Sequence, residues 1–338
     1  MKKLSALLLS LAMVFALAAC GTTPSGSQSP APSGSTGGEV KAGGTIGICI
    51  YKFDDNFMTV YRNQLQSVLE AKGYKVTIAD GNNDQAKQTE QINNFITQGV
   101  DALIINPVQT TAAAAIINLV KDADIPTVLI NREPSADDLA IYDKLSYVGA
   151  DASQSGTFQG QIILDTANKG DLNGDGVVSY IMVQGDPENV DAKLRTEYSV
   201  KALTDAGVKV EQLDMQRGDW DQEKGQTITA NALAKFGDKV EVVFCNNDAM
   251  ALGALQAIKT AGRTVDKDIY LVGVDALDDA VAKVNSGEMS GTVLNDAVGQ
   301  AGKAVEVMEL LLKGEKVEKK YIVDYVMVTK DNVSDYLK

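Results

Sequence analysis

The sequence predicts an α/β protein made of two Rossmann-like lobes, each with a parallel sheet. From Gly44 onward, short apolar runs alternate with amphipathic helical stretches as far as the C-terminus. Most of these runs are apolar throughout, as expected of strands that are covered on both faces. Such an alternation gives parallel sheets with helices on both sides, and a chain of this length accommodates about two domains.

Strands are predicted where short apolar runs lie between turn residues, and helices where apolar residues recur with helical spacing. The predicted strands cover 45–51, 75–79, 102–105, 127–130, 147–149, 178–183, 208–212, 241–245, 269–274, 291–294 and 321–328. The predicted helices cover 57–72, 84–98, 110–122, 151–168, 191–206, 222–236, 247–261, 276–286 and 296–313. The strands suffice for about five or six in each lobe.

Polar side chains stand at nearly every predicted strand end. They are Asp55, Asn106, Asn131, Asp186, Asn246, Asn247, Asp248, Asp275 and Asn295. Because ligands of open α/β sheets bind at the carboxyl ends of the strands, we expect these groups to line one site. Helix N-capping also favours Asp and Asn at such junctions, so either role is open at a single position. Capping does not account for the run 246–248, which offers more groups than one helix start uses.

The N-terminus resembles a bacterial lipoprotein signal. Lys2 and Lys3 precede an apolar run at 4–16 that is too short to span a bilayer, and the sequence Leu-Ala-Ala-Cys ends at Cys20. Residues 1–19 are therefore the predicted signal peptide and Cys20 the predicted lipidation site; an ordinary secretory signal is the alternative. We expect an extracytoplasmic protein that is anchored through its lipid to a membrane, at the outer face of the cytoplasmic membrane or in the periplasm.

Residues 20–43 are predicted to link this anchor to the folded part. From residue 21 they are almost all Gly, Ser, Thr, Pro and Ala, which bury too little apolar surface to become ordered. A flexible coil of this length spans about 25–30 Å. Cys49 and Cys245 lie in apolar runs and are expected to be buried thiols, with a disulfide between them as the alternative.

The charge of the chain excludes several classes of partner. There are 31 basic and 45 acidic residues, which give a net charge of −14, and there is no His. An acidic chain without a basic patch is a poor partner for nucleic acid or an anionic lipid surface. The lack of His removes the commonest general base and the commonest transition-metal ligand. We expect a monomer that binds no nucleic acid.

The segment 171–179 has the pattern of a calcium-binding loop without its usual last ligand. The oxygen ligands at its first, third, fifth, seventh and ninth positions are Asp171, Asn173, Asp175, the carbonyl of Val177 and Ser179. Gly176 stands where the loop must turn sharply. The twelfth position is Met182 in a predicted strand, so the sixth ligand has to come from elsewhere in the chain. A polar Asx-rich turn is the alternative.

Two aromatic residues are candidates for packing on a sugar ring. Asp, Asn and Arg make paired hydrogen bonds with vicinal hydroxyls, and the C–H faces of a sugar favour flat aromatic side chains. Trp220, the only Trp, lies in a polar loop, which favours a site over a core. Phe57 follows Asp55 at the first strand end, and either the site or the core is open for it. These residue types predict a site for a neutral sugar.

Five segments, in order along the chain, resemble those of the galactose/glucose-binding proteins of bacterial ABC importers. They are YKFDDNFM at 51–58, NREPS at 131–135, NNDAMA at 246–251, GVDAL at 273–277 and GTVLND at 291–296. The resemblance runs from about residue 45 to the end and includes the calcium loop. It implies the type I periplasmic-binding-protein fold, in which two lobes are joined by a three-strand hinge and hold sugar in their cleft.

The resemblance also implies which residues bind the sugar. Carried over by position, they are Asp55, Phe57, Asn131, Asp191, Arg195, Trp220, Asn247, Asp275 and Asn295. Phe57 and Trp220 would hold the ring between them, and Arg195 with the carboxylates would bind the hydroxyls. Asn189 stands where the family usually has His. Since Asn both donates and accepts, binding is expected to persist, while the preference between glucose, galactose and related sugars is left open.

For the metal, the resemblance implies that Glu241 supplies the missing ligand. The implied structural calcium site consists of Asp171, Asn173, Asp175, the Val177 carbonyl, Ser179 and Glu241. The family tends to have Gln at the ninth position. The shorter Ser179 is expected to coordinate through water, with a lower affinity.

The expected protein is a solute-binding lipoprotein that captures a monosaccharide of the glucose or galactose type and delivers it to an ABC permease. Its N-terminal lobe would comprise 44–149 and 296–324, and its C-terminal lobe 150–295 and 325–338. A sugar sensor subunit for a chemoreceptor or histidine kinase is the alternative. A sugar-responsive repressor would carry a helix-turn-helix where this chain has the signal and linker. A glycosidase is disfavoured, because carboxylates among hydrogen-bond donors stay ionised.

Overall fold

The computed structural model describes residues 43–337, in which twelve strands and ten α-helices alternate. The strands are β1 (Thr45–Ile50), β2 (Lys75–Asp80), β3 (Ala102–Ile105), β4 (Thr127–Ile130), β5 (Leu145–Gly149), β6 (Val178–Gln184), β7 (Val210–Arg217), β8 (Val242–Cys245), β9 (Tyr270–Val272), β10 (Thr292–Leu294), β11 (Lys320–Ile322) and β12 (Val326–Val328). The helices are α1 (Asn56–Ala71), α2 (Gln85–Gln98), α3 (Ala113–Asp122), α4 (Ala136–Leu139), α5 (Ala152–Leu164), α6 (Val190–Asp205), α7 (Gln222–Phe236), α8 (Asp248–Thr260), α9 (Asp278–Ser286) and α10 (Ala297–Leu312).

The first lobe is built on a six-stranded parallel sheet with the order β11-β5-β4-β3-β1-β2. Successive residues of β1 pack on opposite faces. Ile46 and Ile48 lie in the core under α1 and α10, whereas Cys49 lies in the core under α2 and α3. Both faces are covered, which is why the strands are apolar throughout.

The second lobe is built on a parallel sheet with the order β7-β6-β8-β9. Isolated bridges from Val272 to Gly291 and from Asp275 to Leu294 continue it to β10, which pairs with β12 in the antiparallel sense. This sheet also has a core on each face, one beneath α7 and α8 and one beneath α5 and α6. The predicted fold class, an α/β protein with parallel sheets in two lobes, is confirmed.

The chain passes between the lobes three times. The first crossing, 150–151, joins β5 to α5, and the second, 295–296, joins β10 to α10, which packs on the first sheet. The third crossing, 323–325, joins β11 of the first sheet to β12 of the second. The third crossing lies beside the other two, because Ile322 pairs with Gly149 just before the first and Val326 pairs with Leu294 just before the second.

Several element ends differ from the prediction by a few residues, and three differences are larger. The single strand predicted at 321–328 is two strands, because the third crossing interrupts it. The strand predicted at 208–212 begins at Val210 and continues to Arg217, since it lies at a sheet edge where polar residues face solvent. The short helix α4, with Ser135 and Asp138 as its capping box, was not predicted.

Further predictions concern the N-terminal segment and the cysteines. The signal peptide, Cys20 and the linker as far as residue 42 lie outside the described residues. Among the helices within 43–337, none is both long and apolar enough to cross a membrane. Cys49 and Cys245 are free, buried thiols in different lobes, so the disulfide alternative is wrong. Burial raises the pKa of Cys49 to about 12, which leaves its thiol protonated and inert.

Candidate functional site

A small cavity of about 30 Å³ lies between the lobes at the carboxyl ends of the strands. It is lined by Tyr51, Asp55, Phe57, Met58, Asn131, Arg132, Asn189, Arg195, Trp220, Asn247, Asp275 and Asn295. The structure thus brings nine of the ten predicted sugar-binding residues to one wall or the other. The tenth, Asp191, lies behind the wall and contacts Arg195.

The first lobe contributes Asp55 and Phe57 from the start of α1. Asp55 is the N-cap of this helix: one oxygen accepts from the Met58 amide at 2.7 Å and the other from the Tyr51 hydroxyl at 2.5 Å. Phe57 is 7% exposed, and its ring meets Tyr61 edge to face at a centroid distance of 5.8 Å. Phe57 therefore belongs both to the core and to the cavity wall, and its contact with Tyr61 in the core fixes the position of its ring.

Asn131, at the end of β4, is held in a left-handed backbone conformation with φ of 61°. Asn tolerates this region better than most residues. Its side-chain oxygen accepts from the amide of buried Asn106 at 3.2 Å, and its carbonyl accepts from the Tyr147 hydroxyl at 2.8 Å. The first bond orients the Asn131 side chain and the second holds its backbone, so the predicted strand-end residue Asn106 acts behind the wall and not at it.

Arg195, on α6, is the centre of the second lobe's wall. It is 3% exposed, and it donates from Nη1 to the Asn246 carbonyl at 2.8 Å and from Nη2 to the Tyr325 hydroxyl at 3.0 Å. Its guanidinium lies 3.7 Å from the Asp191 carboxylate and 3.8 Å from that of Asp275. Its Nε has no hydrogen-bond partner within the described part of the chain.

The cleft holds a nearly balanced set of charges. Burial raises the pKa of Asp191 and, more strongly, that of Asp275, and Arg195 opposes both shifts. The expectation that hydrogen-bond donors simply keep these carboxylates ionised is therefore wrong, because burial outweighs their partners. The carboxylates of Asp55, Asp191 and Asp275 stand against the guanidinium groups of Arg195 and Arg132. A site in which acids and bases nearly cancel suits a neutral polar ligand better than an ion.

Trp220 forms another part of this wall. Its indole packs on Gly185, where an added Cβ would overlap three atoms of the benzo ring. The Arg195 guanidinium lies 5.7 Å from the indole centroid. Asn247, the N-cap of α8, accepts from the Met250 amide at 3.0 Å and donates to the Trp220 carbonyl at 3.4 Å. Gly185 is therefore required for the ring to lie where it does.

The run 246–248 does more than cap α8, as its composition predicted. The Asn246 side chain accepts a hydrogen bond from the Gly185 amide at 2.9 Å, and the Asn246 carbonyl accepts one from Arg195. The fully buried Asp248 accepts from the Leu277 amide at 2.9 Å and from the Thr292 hydroxyl at 2.7 Å. Only Asn247 of the three lines the cavity.

Tyr51, Met58 and Arg132 line the cavity but were not predicted. The Arg132 guanidinium stacks on the Tyr51 ring at 3.7 Å from its centroid and donates to the Val108 carbonyl. Tyr51 is the last residue of the first predicted strand and lies one residue beyond β1, and Arg132 lies two residues beyond β4. The strand-end argument would have found both had it included aromatic and basic side chains.

The loop 171–179 is tied to the start of β8 by Glu241, which is 1% exposed. Glu241 accepts from the amides of Leu172 and Asn173 at 2.7 and 3.0 Å with Oε1, and from the Ser179 amide at 2.8 Å with Oε2. Glu241 is therefore joined to the loop by hydrogen bonds from its backbone, while its role as a metal ligand stays a prediction.

The donor set of this loop fits a hard cation in type. Asp171, Asn173 and Asp175 each accept backbone amides of the loop, and their oxygens have further lone pairs. Gly174 and Gly176 have φ of 75° and 85°, which a tight loop requires. However, within residues 43–337 no three His, Cys, Asp or Glu side chains are grouped so as to hold a metal. Of the six predicted ligands only three are carboxylates, so a calcium site would draw on amide, hydroxyl and backbone oxygens as well.

The comparisons with known proteins agree with this geometry. Residues 46–316 match the family described as periplasmic binding protein domain. The D-galactose/methyl-galactoside binding periplasmic protein MglB of Haemophilus influenzae is 37% identical over 321 residues, which are 90% of this chain and 95% of that protein. A putative rhizopine-binding protein of Rhizobium meliloti is 37% identical over 294 residues, covering 86% and 92%.

Among solved structures, an ABC transporter solute binding protein from Bacillus halodurans with bound myo-inositol superposes with a TM-score of 0.76. It is 30% identical and is matched over 88% of this chain and 98% of its own. These relatives are binding proteins, which confirms the prediction that the chain is not an enzyme. The chain belongs to the periplasmic binding protein family, in its type I form.

Proposed function

We propose that this protein captures a monosaccharide in the cleft between its lobes and delivers it to an ABC permease. The observation that carries the proposal is a cavity at which both lobes bring together aromatic, amide, carboxylate and guanidinium groups. Aromatic faces suit the C–H surface of a sugar ring, and the polar groups suit its hydroxyls. D-Glucose or D-galactose is the proposed ligand, in keeping with the similarity to MglB.

The amide side chains are already oriented for hydroxyl groups. Asn131 and Asn189 each use their oxygen inside the protein, accepting from Asn106 and from the Asp191 amide respectively. Their amide nitrogens make no hydrogen bond to another described residue, so they can donate to the hydroxyl oxygens of a ligand. Arg195 is a charged donor held between two carboxylate acceptors, an arrangement that binds a hydroxyl pair from both sides.

The proposal is tested by isothermal titration of the purified protein with D-glucose, D-galactose, D-ribose and myo-inositol. We expect one site with a Kd of about 1 μM or lower for glucose or galactose, since burial of the whole ring gives about −8 kcal/mol or better. Heat only with ribose or myo-inositol would correct the sugar. No heat with any of the four would overturn the proposal.

We also propose that the loop 171–179 binds a structural calcium ion. Support comes from the oxygen pattern of Asp171, Asn173 and Asp175, and from the position of buried Glu241 beside the loop. Calcium would supply positive charge to a loop that otherwise gathers carboxylates at the edge of the second lobe.

Finally, we propose that the protein is a monomeric lipoprotein that is anchored at Cys20 on the outer side of a membrane. The support is the N-terminal sequence pattern, with a basic start, a short apolar run and a Cys at its end. Incorporation of labelled fatty acid, lost in a Cys20→Ala variant, would test the anchor. A wild-type protein that takes up no label would contradict it.

A further inference from the structure

The third crossing between the lobes ends in a residue that also holds the sugar-site arginine. Tyr325 is the last residue of this crossing and is 4% exposed. Its ring lies in the core of the second lobe, and its hydroxyl accepts from Arg195 Nη2 at 3.0 Å. Burial raises the pKa of this hydroxyl to about 12, so it stays neutral and available as an acceptor.

The two ends of the crossing are fixed to different lobes. At its start, the Val323 amide donates to the Gly149 carbonyl at 2.9 Å, at the end of β5 in the first lobe. At its end, the Tyr325 amide donates to Gln154 Oε1 at 2.7 Å, on α5 of the second lobe. Within the third crossing, any rotation of one lobe against the other therefore falls on the backbone between these two anchors, at exposed Asp324.

The second crossing reaches the same arginine from the opposite side. Asn295 donates to Asp275 at 3.3 Å, and Asp275 lies 3.8 Å from Arg195. Gln300, on α10 of the first lobe, donates to the Asn295 side-chain oxygen at 2.6 Å. A continuous polar chain therefore runs from the first lobe through the second crossing to Arg195, and from Arg195 to the third crossing.

We propose that Tyr325 is a positioning residue that holds Arg195 for the ligand and couples the third crossing to the occupancy of the cleft. A ligand that shifts the Arg195 guanidinium also displaces Tyr325, because one hydrogen bond joins them. Tyr325 is the residue at which the third crossing enters the second lobe. The inference rests on the proposed function for the identity of its ligand. The effect of Tyr325 on the third crossing applies to the ligand-free protein as well.

The test is Tyr325→Phe, which keeps the ring in the core and removes only the hydroxyl. Loss of one hydrogen bond to a buried charged group predicts a rise in the sugar Kd of about tenfold. Tyr180→Phe is the matched control: Tyr180 is also 4% exposed and bonds Gln212 at 3.1 Å, but it does not line the cleft. The control is expected to leave the Kd unchanged.

A second measurement separates positioning from a general loss of stability. Spin labels at exposed Asn94→Cys on α2 and Ala234→Cys on α7, in a Cys20→Ser background, report the distance between the lobes. Without ligand, Tyr325→Phe is expected to broaden this distance distribution, whereas Tyr180→Phe leaves it as in wild type. A Kd within twofold of wild type together with an unchanged distribution would overturn the inference. If wild type binds no sugar, the proposed function fails, and the ligand-free distances still decide the hinge role.

Discussion

At the scale of single residues, the candidate site is organised by helix caps. Asp55, Asn189 and Asn247 are the N-caps of α1, α6 and α8, and all three line the cavity. Capping and a place in the site, which the sequence offered as alternatives, are combined in the same side chains, because each of these caps also lines the cavity. Each uses one oxygen to satisfy a helix amide, so the orientation of its remaining groups is set before a ligand arrives.

The buried carboxylate of Asp248 makes a pH dependence predictable. Burial raises its pKa to about 6, against the hydrogen bonds from Thr292 and Leu277 and the charge of Arg195, with Asp275 also nearby. Because the folded state holds this proton more tightly than the unfolded chain, the group lowers the unfolding free energy as pH rises from about 4 to about 6.

Asp248→Asn removes that titration. The unfolding free energy of the variant relative to wild type is therefore expected to rise by about 3 kcal/mol between pH 4 and pH 7, whatever the constant offset from the altered hydrogen bonds. Urea unfolding of both proteins across this range measures it. Asp238→Asn, at an exposed position, is the control and should show no such change. A pH-independent difference between Asp248→Asn and wild type would contradict the prediction.

At the scale of elements, the sequence predicts the sheets well and the crossings poorly. Continuous apolar strands are recognisable because both faces of each sheet are covered, as the two cores around β1 show. The run 321–328 stays apolar across the break between β11 and β12, interrupted only by Asp324. Which sheet a strand joins is decided by tertiary pairing, so no local pattern marks the change at Tyr325.

In the candidate site, too, some features were predictable from the sequence and others depend on how the strands pair. Asp and Asn at strand ends were predictable because their position in the chain fixes their place at the sheet edge. The stack of Arg132 on Tyr51 was not, because it joins the ends of β4 and β1, which are separated by β3 in the sheet. Such a contact exists only after the strands have paired, and neither residue type alone signals it.

The turn after β6 contains Gly185, and the indole of Trp220 packs so closely on it that no larger residue fits. In Gly185→Ala the new methyl group would collide with the indole of Trp220, so the ring must move. We expect a shift in tryptophan fluorescence, which reports Trp220 alone because it is the only Trp, and a sugar Kd raised about tenfold or more. Fluorescence emission and calorimetry measure the two effects.

Gly302→Ala, on α10, is the matched control. No atom lies within 4 Å of its added Cβ, and Ala stabilises a helix interior by about 0.5–1 kcal/mol relative to Gly. It should leave the Trp220 emission and the Kd unchanged. Wild-type emission and affinity in Gly185→Ala would show that the indole does not depend on this glycine.

The loop 171–179 allows a prediction about metal removal. At a free calcium concentration of about 100 times its Kd, binding to the folded loop contributes about 3 kcal/mol to the unfolding free energy. Chelation should then lower the melting temperature by about 5–10 °C. Asp175→Ala should abolish the response to EGTA, because it removes one oxygen ligand of the proposed site. Asp205→Asn, on the surface of α6, should retain it. An unchanged melting temperature in wild type after chelation would contradict the stabilising role of calcium, and the hydrogen bonds to Glu241 would then join the loop to the start of β8 without a metal.

At the scale of the whole molecule, the site is divided between the lobes. Asp55, Phe57 and Asn131 come from the first, whereas Arg195 and Trp220 come from the second. Neither half surrounds a ligand by itself. A sugar that contacts both halves therefore binds the closed arrangement more tightly than an open one, and that difference in affinity is what shifts the population.

The size of this shift can be predicted. A ligand with about 10⁴-fold preference for the closed state moves it from about 1% to about 99% of the molecules. With spin labels at Asn94→Cys and Ala234→Cys, saturating sugar should collapse the distance distribution to one narrow population. Trp220→Ala at the same sugar concentration should retain part of the ligand-free distribution, since the second lobe loses its aromatic face and with it part of the preference. Identical distributions with and without saturating sugar in wild type would show that binding does not close the lobes, and the cleft would then have to admit its ligand in a single fixed arrangement.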